Sequence, residues 1–121
     1  MSTITTHVLD TVLGKPAAGI AVRLERMLGG WAGEGSERVD ATQWIQIATG
    51  TTDDDGRCRE LKQDAGEGIY RLTFETGHYM RRKNRATIYP EISITFHCSG
   101  DGHYHLPLLL SDNSYTTYRG S

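Results

Sequence analysis

Residues 69–75 read IYRLTFE: Tyr70, Leu72 and Phe74 alternate with Arg71, Thr73 and Glu75. Successive side chains of a strand point to opposite faces, so this pattern gives one face to a core and the other to water. The same period recurs on both sides of it. Residues 4–9 set Thr5, His7 and Leu9 against Thr6 and Val8; residues 20–28 set Ile20, Val22, Leu24 and Arg26 against Ala21, Arg23, Glu25 and Met27. Residues 43–52 are strand-like around Trp44, Ile45 and Ile47, and residues 91–98 align Ile92, Ile94 and Phe96. Residues 103–110 put Tyr104, Leu106, Leu108 and Leu110 on one face and His103, His105, Pro107 and Leu109 on the other. Pro107 has no N–H for a ladder, which predicts an edge or a bulge near it.

Turn residues punctuate these runs. Asp53-Asp54-Asp55-Gly56 is a turn from which residues 57–61 lead away, and Asp112-Asn113 introduces a last short strand over 114–119. Residues 76–85 are the helix candidate, short and basic, with Thr76 as its cap. Residues 29–42, rich in glycine and charge, read as a long loop anchored by Trp31. Short strands at regular spacing, with one small helix and no βαβ alternation, predict an all-β sandwich of seven to eight strands. A chain of 121 residues suits a single domain over residues 1–121.

A net charge of −2 offers no general attraction to nucleic acid or an anionic membrane. Arg81, Arg82, Lys83 and Arg85 form a local basic cluster, expected to be a solvated face. Cys58 and Cys98 lack C-x-x-C spacing, so two reduced thiols and a cytosolic home are expected. Neither a signal peptide nor a membrane-length apolar run is visible. The acidic turn fails as a calcium loop: with Gly56 as the invariant glycine, Thr51 and Lys62 stand where carboxylates are required.

His103 and His105 share one strand face and can offer two imidazoles to one substrate or one metal ion, with His7 as a third ligand. The plainer alternative is one solvated histidine and one that satisfies a local hydrogen bond. No serine lies in a G-x-S-x-G elbow and neither cysteine in a nucleophile motif, so a hydrolase of this sequence would use water. Histidine would be its base and arginine would bind the developing negative charge.

TTHVLD near the start, DGR after the acidic turn, IYPEI before the penultimate strands and HYHLPLLLS with YTTYRGS at the end resemble the 5-hydroxyisourate hydrolases, transthyretin-like proteins of urate degradation. The likeness spans nearly the whole chain. The HYH and YRGS motifs distinguish these hydrolases from true transthyretins, the hormone carriers of the same fold. The resemblance implies a transthyretin-like sandwich assembled as a 222-symmetric homotetramer, with metal-free, cofactor-free active sites in clefts between dimers. It matches His7, Arg57, His105, Tyr118 and Ser121 to the family's functional positions. His7 and His105 would handle the water, Arg57 the ring and its oxyanion, Tyr118 a substrate hydrogen bond, and Ser121 the histidine network. Arg119 and Gly120 complete the motif without an assigned role. A non-catalytic small-ligand carrier is the alternative.

Overall fold

The computed structural model describes residues 1–28 and 43–120. The loop expected over 29–42, its Trp31 anchor and Ser121 lie outside the described residues. Two sheets pack face to face, as the alternation implies. One contains β1 (Ser2–Asp10), β2 (Lys15–Pro16), β5 (Arg57–Ala65), β8 (His103–Leu110) and β9 (Tyr115–Thr117). The other runs in the order β4 (Gln43–Thr51), β3 (Ala21–Leu28), β6 (Gly68–Phe74), β7 (Ile92–Cys98). One helix, α1 (Thr76–Arg82), joins β6 to the segment before β7.

Nine strands among the described residues exceed the expected seven to eight. β2 is only two residues long, and its pairing with β1 carries no periodic signal. β5 extends well beyond residues 57–61. Its sequence, RCRELKQDA, does not alternate, and its pairing with β1 slips twice, between Ser2 and Ile4 and between Ile4 and Thr6. A bulged strand breaks the period of two that a sequence reading relies on.

The core lies between the sheets. Ile4, Val8, Val22, Leu24, Leu72, Phe74, Leu108 and Leu110 are essentially inaccessible to water. Tyr70, Phe96 and Tyr104 form an aromatic run across the layers, with ring centroids 6.0 and 6.3 Å apart. β8 keeps its apolar side inward, so its other side, with His103 and His105, faces outward beside β1. Pro107 is not on an edge strand, because β8 pairs with β1 on one side and β9 on the other. The β8–β9 ladder instead stops at Leu108–Thr117 and resumes as a single bridge at His105–Gly120. Pro107 stands in the gap, where it has no N–H to give.

The helix departs from expectation in two respects. Glu75, not Thr76, occupies the cap position, and the buried Thr76 hydroxyl has no hydrogen-bond partner. The basic cluster is not a solvated face throughout. Arg85 is largely buried and pairs with Asp10 and Asp112, while Arg82 donates to the Gly19 carbonyl at 3.0 Å. Asn84 takes the left-handed conformation (φ 56°), and the Arg85 N–H reaches back to the Met80 carbonyl at 2.9 Å. This helix stop delivers Arg85 to Asp10.

Candidate active site

β1 is the central strand of the site. It runs antiparallel to β5 and parallel to β8, with His7 opposite Arg57 on one side and Pro107 on the other. Residues directly opposite in a sheet share a face. Extending the β8–β9 register through its gap puts Tyr118 opposite Pro107. Arg57, His7, Pro107 and Tyr118 therefore form one row across four chain segments. The next row on that face holds Thr5, His105 and Gly120.

A cleft of about 310 Å³ opens on this face, lined by Thr5, Thr6, Arg57, Arg59, His103 and His105. The His105 ring is 6.5 Å from that of His7 and 6.2 Å from that of His103. His7, Arg57 and His105, from three separate motifs, are thus neighbours. Tyr118 shares their face but is 53% exposed and lies beyond Pro107, about 10 Å from His7 at ordinary strand spacing. Among the described residues no three of His, Cys, Asp and Glu are grouped as ligands around a metal ion.

The acidic turn shapes the rim. Gly56 adopts φ +77°, and a Cβ there would lie 2.4 Å from the Val8 carbonyl. This residue has to be glycine for β5 to start beside β1. Asp53 Oδ1 accepts the backbone N–H groups of Arg57 and Asp55 at 3.0 and 2.9 Å. The Arg57 bond leads the effects that hold the Asp53 carboxyl below its usual range. Asp55 also pairs with Arg59 at 3.1 Å. A single turn therefore sets the backbone of one cleft arginine and tethers the side chain of the other.

Partial burial, followed by the Arg57 charge, pushes the pKa values of both His7 and His105 below 6.5. A hydrogen bond to the Asp55 backbone opposes this at His7. Both rings are neutral at pH 7 and able to accept a proton. Cys58, between the two arginines in sequence, points the other way into the core. Burial pushes its thiol up to about 11, which removes it as a nucleophile.

Arg119 and Gly120 acquire roles that the sequence did not supply. The Arg119 guanidinium lies 4.0 Å over the Tyr104 ring and donates to the His103 carbonyl at 3.2 Å. The Gly120 N–H donates to the His105 carbonyl at 2.7 Å. A Cβ on Gly120 would lie 2.8 Å from Cδ2 of the His105 ring. Arginine and glycine here fasten the C-terminal segment against both histidines; the only sequence signal was their place between Tyr118 and Ser121.

A family model described as HIUase/Transthyretin family matches residues 4–120. The chain belongs to this family. It is 43% identical over 121 residues to a 5-hydroxyisourate hydrolase of Salmonella typhimurium, spanning 98% of this chain and 80% of that one. The 5-hydroxyisourate hydrolase of Klebsiella pneumoniae is similar in structure, with a TM-score of 0.79 at 34% identity over 100% of this chain and 94% of that chain. Transthyretin of Sparus aurata superposes with a TM-score of 0.83 at 31% identity, covering 98% and 96%. The transthyretin-like sandwich is common to the enzyme and the carrier, so the fold alone does not separate them.

Proposed function

We propose that this protein, as one hydrolase domain over residues 1–121, hydrolyses 5-hydroxyisourate to 2-oxo-4-hydroxy-4-carboxy-5-ureidoimidazoline in urate degradation. The observation that carries the reading is the meeting of His7, Arg57 and His105 on one open sheet face. Identity of 43% to a 5-hydroxyisourate hydrolase over nearly the whole chain supports it over a carrier. A carrier channel also has no need of neutral imidazoles beside a guanidinium.

Water is the nucleophile and His105 the base. Nε2 of His105 takes a proton from water as its oxygen attacks the ring amide carbonyl, and His7 orients that water. The Arg57 fork binds the ring and stabilises the oxyanion. Collapse breaks the C–N bond, and the His105 proton goes to the departing nitrogen. The new carboxylate faces Arg57 and Arg59. Tyr118 supplies a substrate hydrogen bond, and Ser121 steadies the histidines. No metal or cofactor takes part. The cleft is completed by a second dimer in a 222-symmetric homotetramer, a role suited to an outer sheet face that a single chain leaves open. Two buried free thiols suit the reducing cytosol.

The test is the pH profile of kcat/KM, followed as decay of freshly generated 5-hydroxyisourate absorbance. Both histidine pKa values are lowered, so the neutral forms persist through pH 6.5 and are lost only below it. Activity is expected to be level near neutrality and to fall on an acid limb centred below pH 6.5. A midpoint at or above the ordinary histidine value would exclude these two rings as the base. Gly120→Ala gives a second check. By pushing on the His105 ring it is expected to lower kcat by about 10- to 100-fold with the melting temperature nearly unchanged. Wild-type turnover in that variant would separate the C-terminal segment from the chemistry.

A further inference from the structure

Thr5 lies beside His105 in the β1–β8 register and is 9% exposed. Its hydroxyl is 2.8 Å from Nδ1 of His105 and 3.1 Å from Nε2 of His103. Nδ1 of His103 in turn contacts the Thr3 hydroxyl. Thr3, His103, Thr5 and His105 therefore form one unbroken hydrogen-bonded line along the outer face of the sheet.

A hydroxyl has one proton to donate and can accept twice. When the Thr5 proton stays within the line and each neutral imidazole carries one N–H, the line has two polarities. In the first, Thr3 donates to His103, His103 Nε2–H to Thr5, and Thr5 to His105 Nδ1. That order puts the proton of His105 on Nε2, where it cannot act as a base. In the second, His105 Nδ1–H donates to Thr5, Thr5 to His103 Nε2, and His103 Nδ1–H to Thr3. Nε2 of His105 is then bare.

We propose that Thr5 is a positioning residue that holds His105 in the Nδ1–H tautomer and carries the proton gained by His105 onward to His103. The proposal rests on the reading of His105 as the base. When His105 Nε2 takes a proton from water, its Nδ1 proton moves to Thr5 Oγ1, and the Thr5 proton moves to His103 Nε2. His105 ends neutral and His103 holds the positive charge. The groups facing His105 make this transfer favourable. His7 from β1 and the Arg57 guanidinium from β5 face His105; Arg59, on the same rim, is paired with Asp55, and Gly120, on the C-terminal side, brings no charged side chain. A cation formed on His105 sits beside the Arg57 charge, but His103 is exposed to water. The reverse shift restores the line as His105 Nε2–H protonates the departing nitrogen.

The experiment compares wild type, Thr5→Val and Thr5→Ser by steady-state kinetics and by ¹⁵N NMR of the histidine side chains. Valine keeps the shape and the strand preference of threonine but not the hydroxyl; serine keeps the hydroxyl but not the methyl. Thr5→Val is expected to lower kcat by about 10- to 100-fold with KM within about threefold, and Thr5→Ser to recover most of it. NMR is expected to show His105 as Nδ1–H in wild type and Thr5→Ser, and as predominantly Nε2–H in Thr5→Val. Full turnover by Thr5→Val, or Thr5→Ser as slow as Thr5→Val, would overturn the relay. An inactive wild type would sink the hydrolase reading instead, and the NMR tautomer would then decide the relay alone.

Discussion

Arg57→Ala is expected to lower kcat/KM for ring opening by about 100-fold or more, the usual effect of removing a donor aimed at a developing oxyanion. Arg57 stands in the same row as His7, lines the cleft, and has its backbone N–H fixed by Asp53. Alanine at this position leaves those backbone bonds in place, so the loss would not come from unfolding of the turn. Two further signatures distinguish a reacting group from a structural one. The Arg57 charge lowers the pKa values of both His7 and His105, second only to burial. Its removal is therefore expected to move the acid limb of the pH profile towards higher pH. Arg57→Lys keeps the charge without the planar fork, and is expected to keep the limb in place while recovering only part of the rate. Wild-type turnover by Arg57→Ala would eliminate the proposed site.

The second large effect falls on stability. Asp10 is completely buried and accepts from five groups: the Tyr79 hydroxyl at 2.7 Å, the backbone N–H of Val12 and of Leu13 at 3.1 Å, and two Arg85 nitrogens. This one carboxylate ties β1 to α1, and through Arg85 to Asp112 in the turn after β8. Burial alone would raise the Asp10 pKa. The bonds from Arg85, Tyr79 and Leu13 outweigh it and hold the carboxyl below its usual range. Burial and the hydrogen bond to Asp10 in turn push the Tyr79 phenol up to about 12. Asp10→Ala leaves the Tyr79 phenol without its partner in the interior and the Arg85 guanidinium with only the Asp112 carboxylate. A loss of about 3–5 kcal/mol in unfolding free energy is expected by urea titration, as for other broken buried ion pairs. The pH dependence has a definite sign. A depressed carboxyl contributes stability that is present above 3.8 and is lost as pH falls through its lower folded value. Part of the acid destabilisation of the wild type should therefore be missing in Asp10→Ala. A variant as stable as wild type, with the same acid transition, would show that the pair contributes nothing.

Alternation made the strands readable where one face is buried along the full length. β6, β7 and β8 fall within a residue of their expected bounds because their partners run alongside without slipping. β5 was under-read because its register slips twice, and β2 because two residues have no period. Arg85 was misread as solvated because its partner Asp10 is 75 residues away in sequence. Thr76 was misread as a cap because the preference for threonine at that position says nothing about whether the chain enters the helix one residue earlier.

The site was legible in parts. Strand periodicity put His103 and His105 on one face of β8. The parallel pairing of β1 with β8, which brings His7 and Thr5 beside them, leaves no mark in local sequence. The residues alone offered His7 as a companion to the pair, family motifs added Arg57 and chose His105 over His103, and the register explains why they meet. Gly120 was legible as a motif residue only. Its reason for being glycine is the His105 ring, on a strand fifteen residues earlier.

The most direct test of the account is the decay of freshly generated 5-hydroxyisourate in ¹⁸O-labelled water, with purified wild-type protein that has been dialysed against EDTA. The expected result is decay that quickens in proportion to protein concentration, is undiminished by the chelator, and gives product with one ¹⁸O atom in its new carboxylate. Decay at the spontaneous rate at every protein concentration, or acceleration that EDTA abolishes and zinc restores, would contradict it.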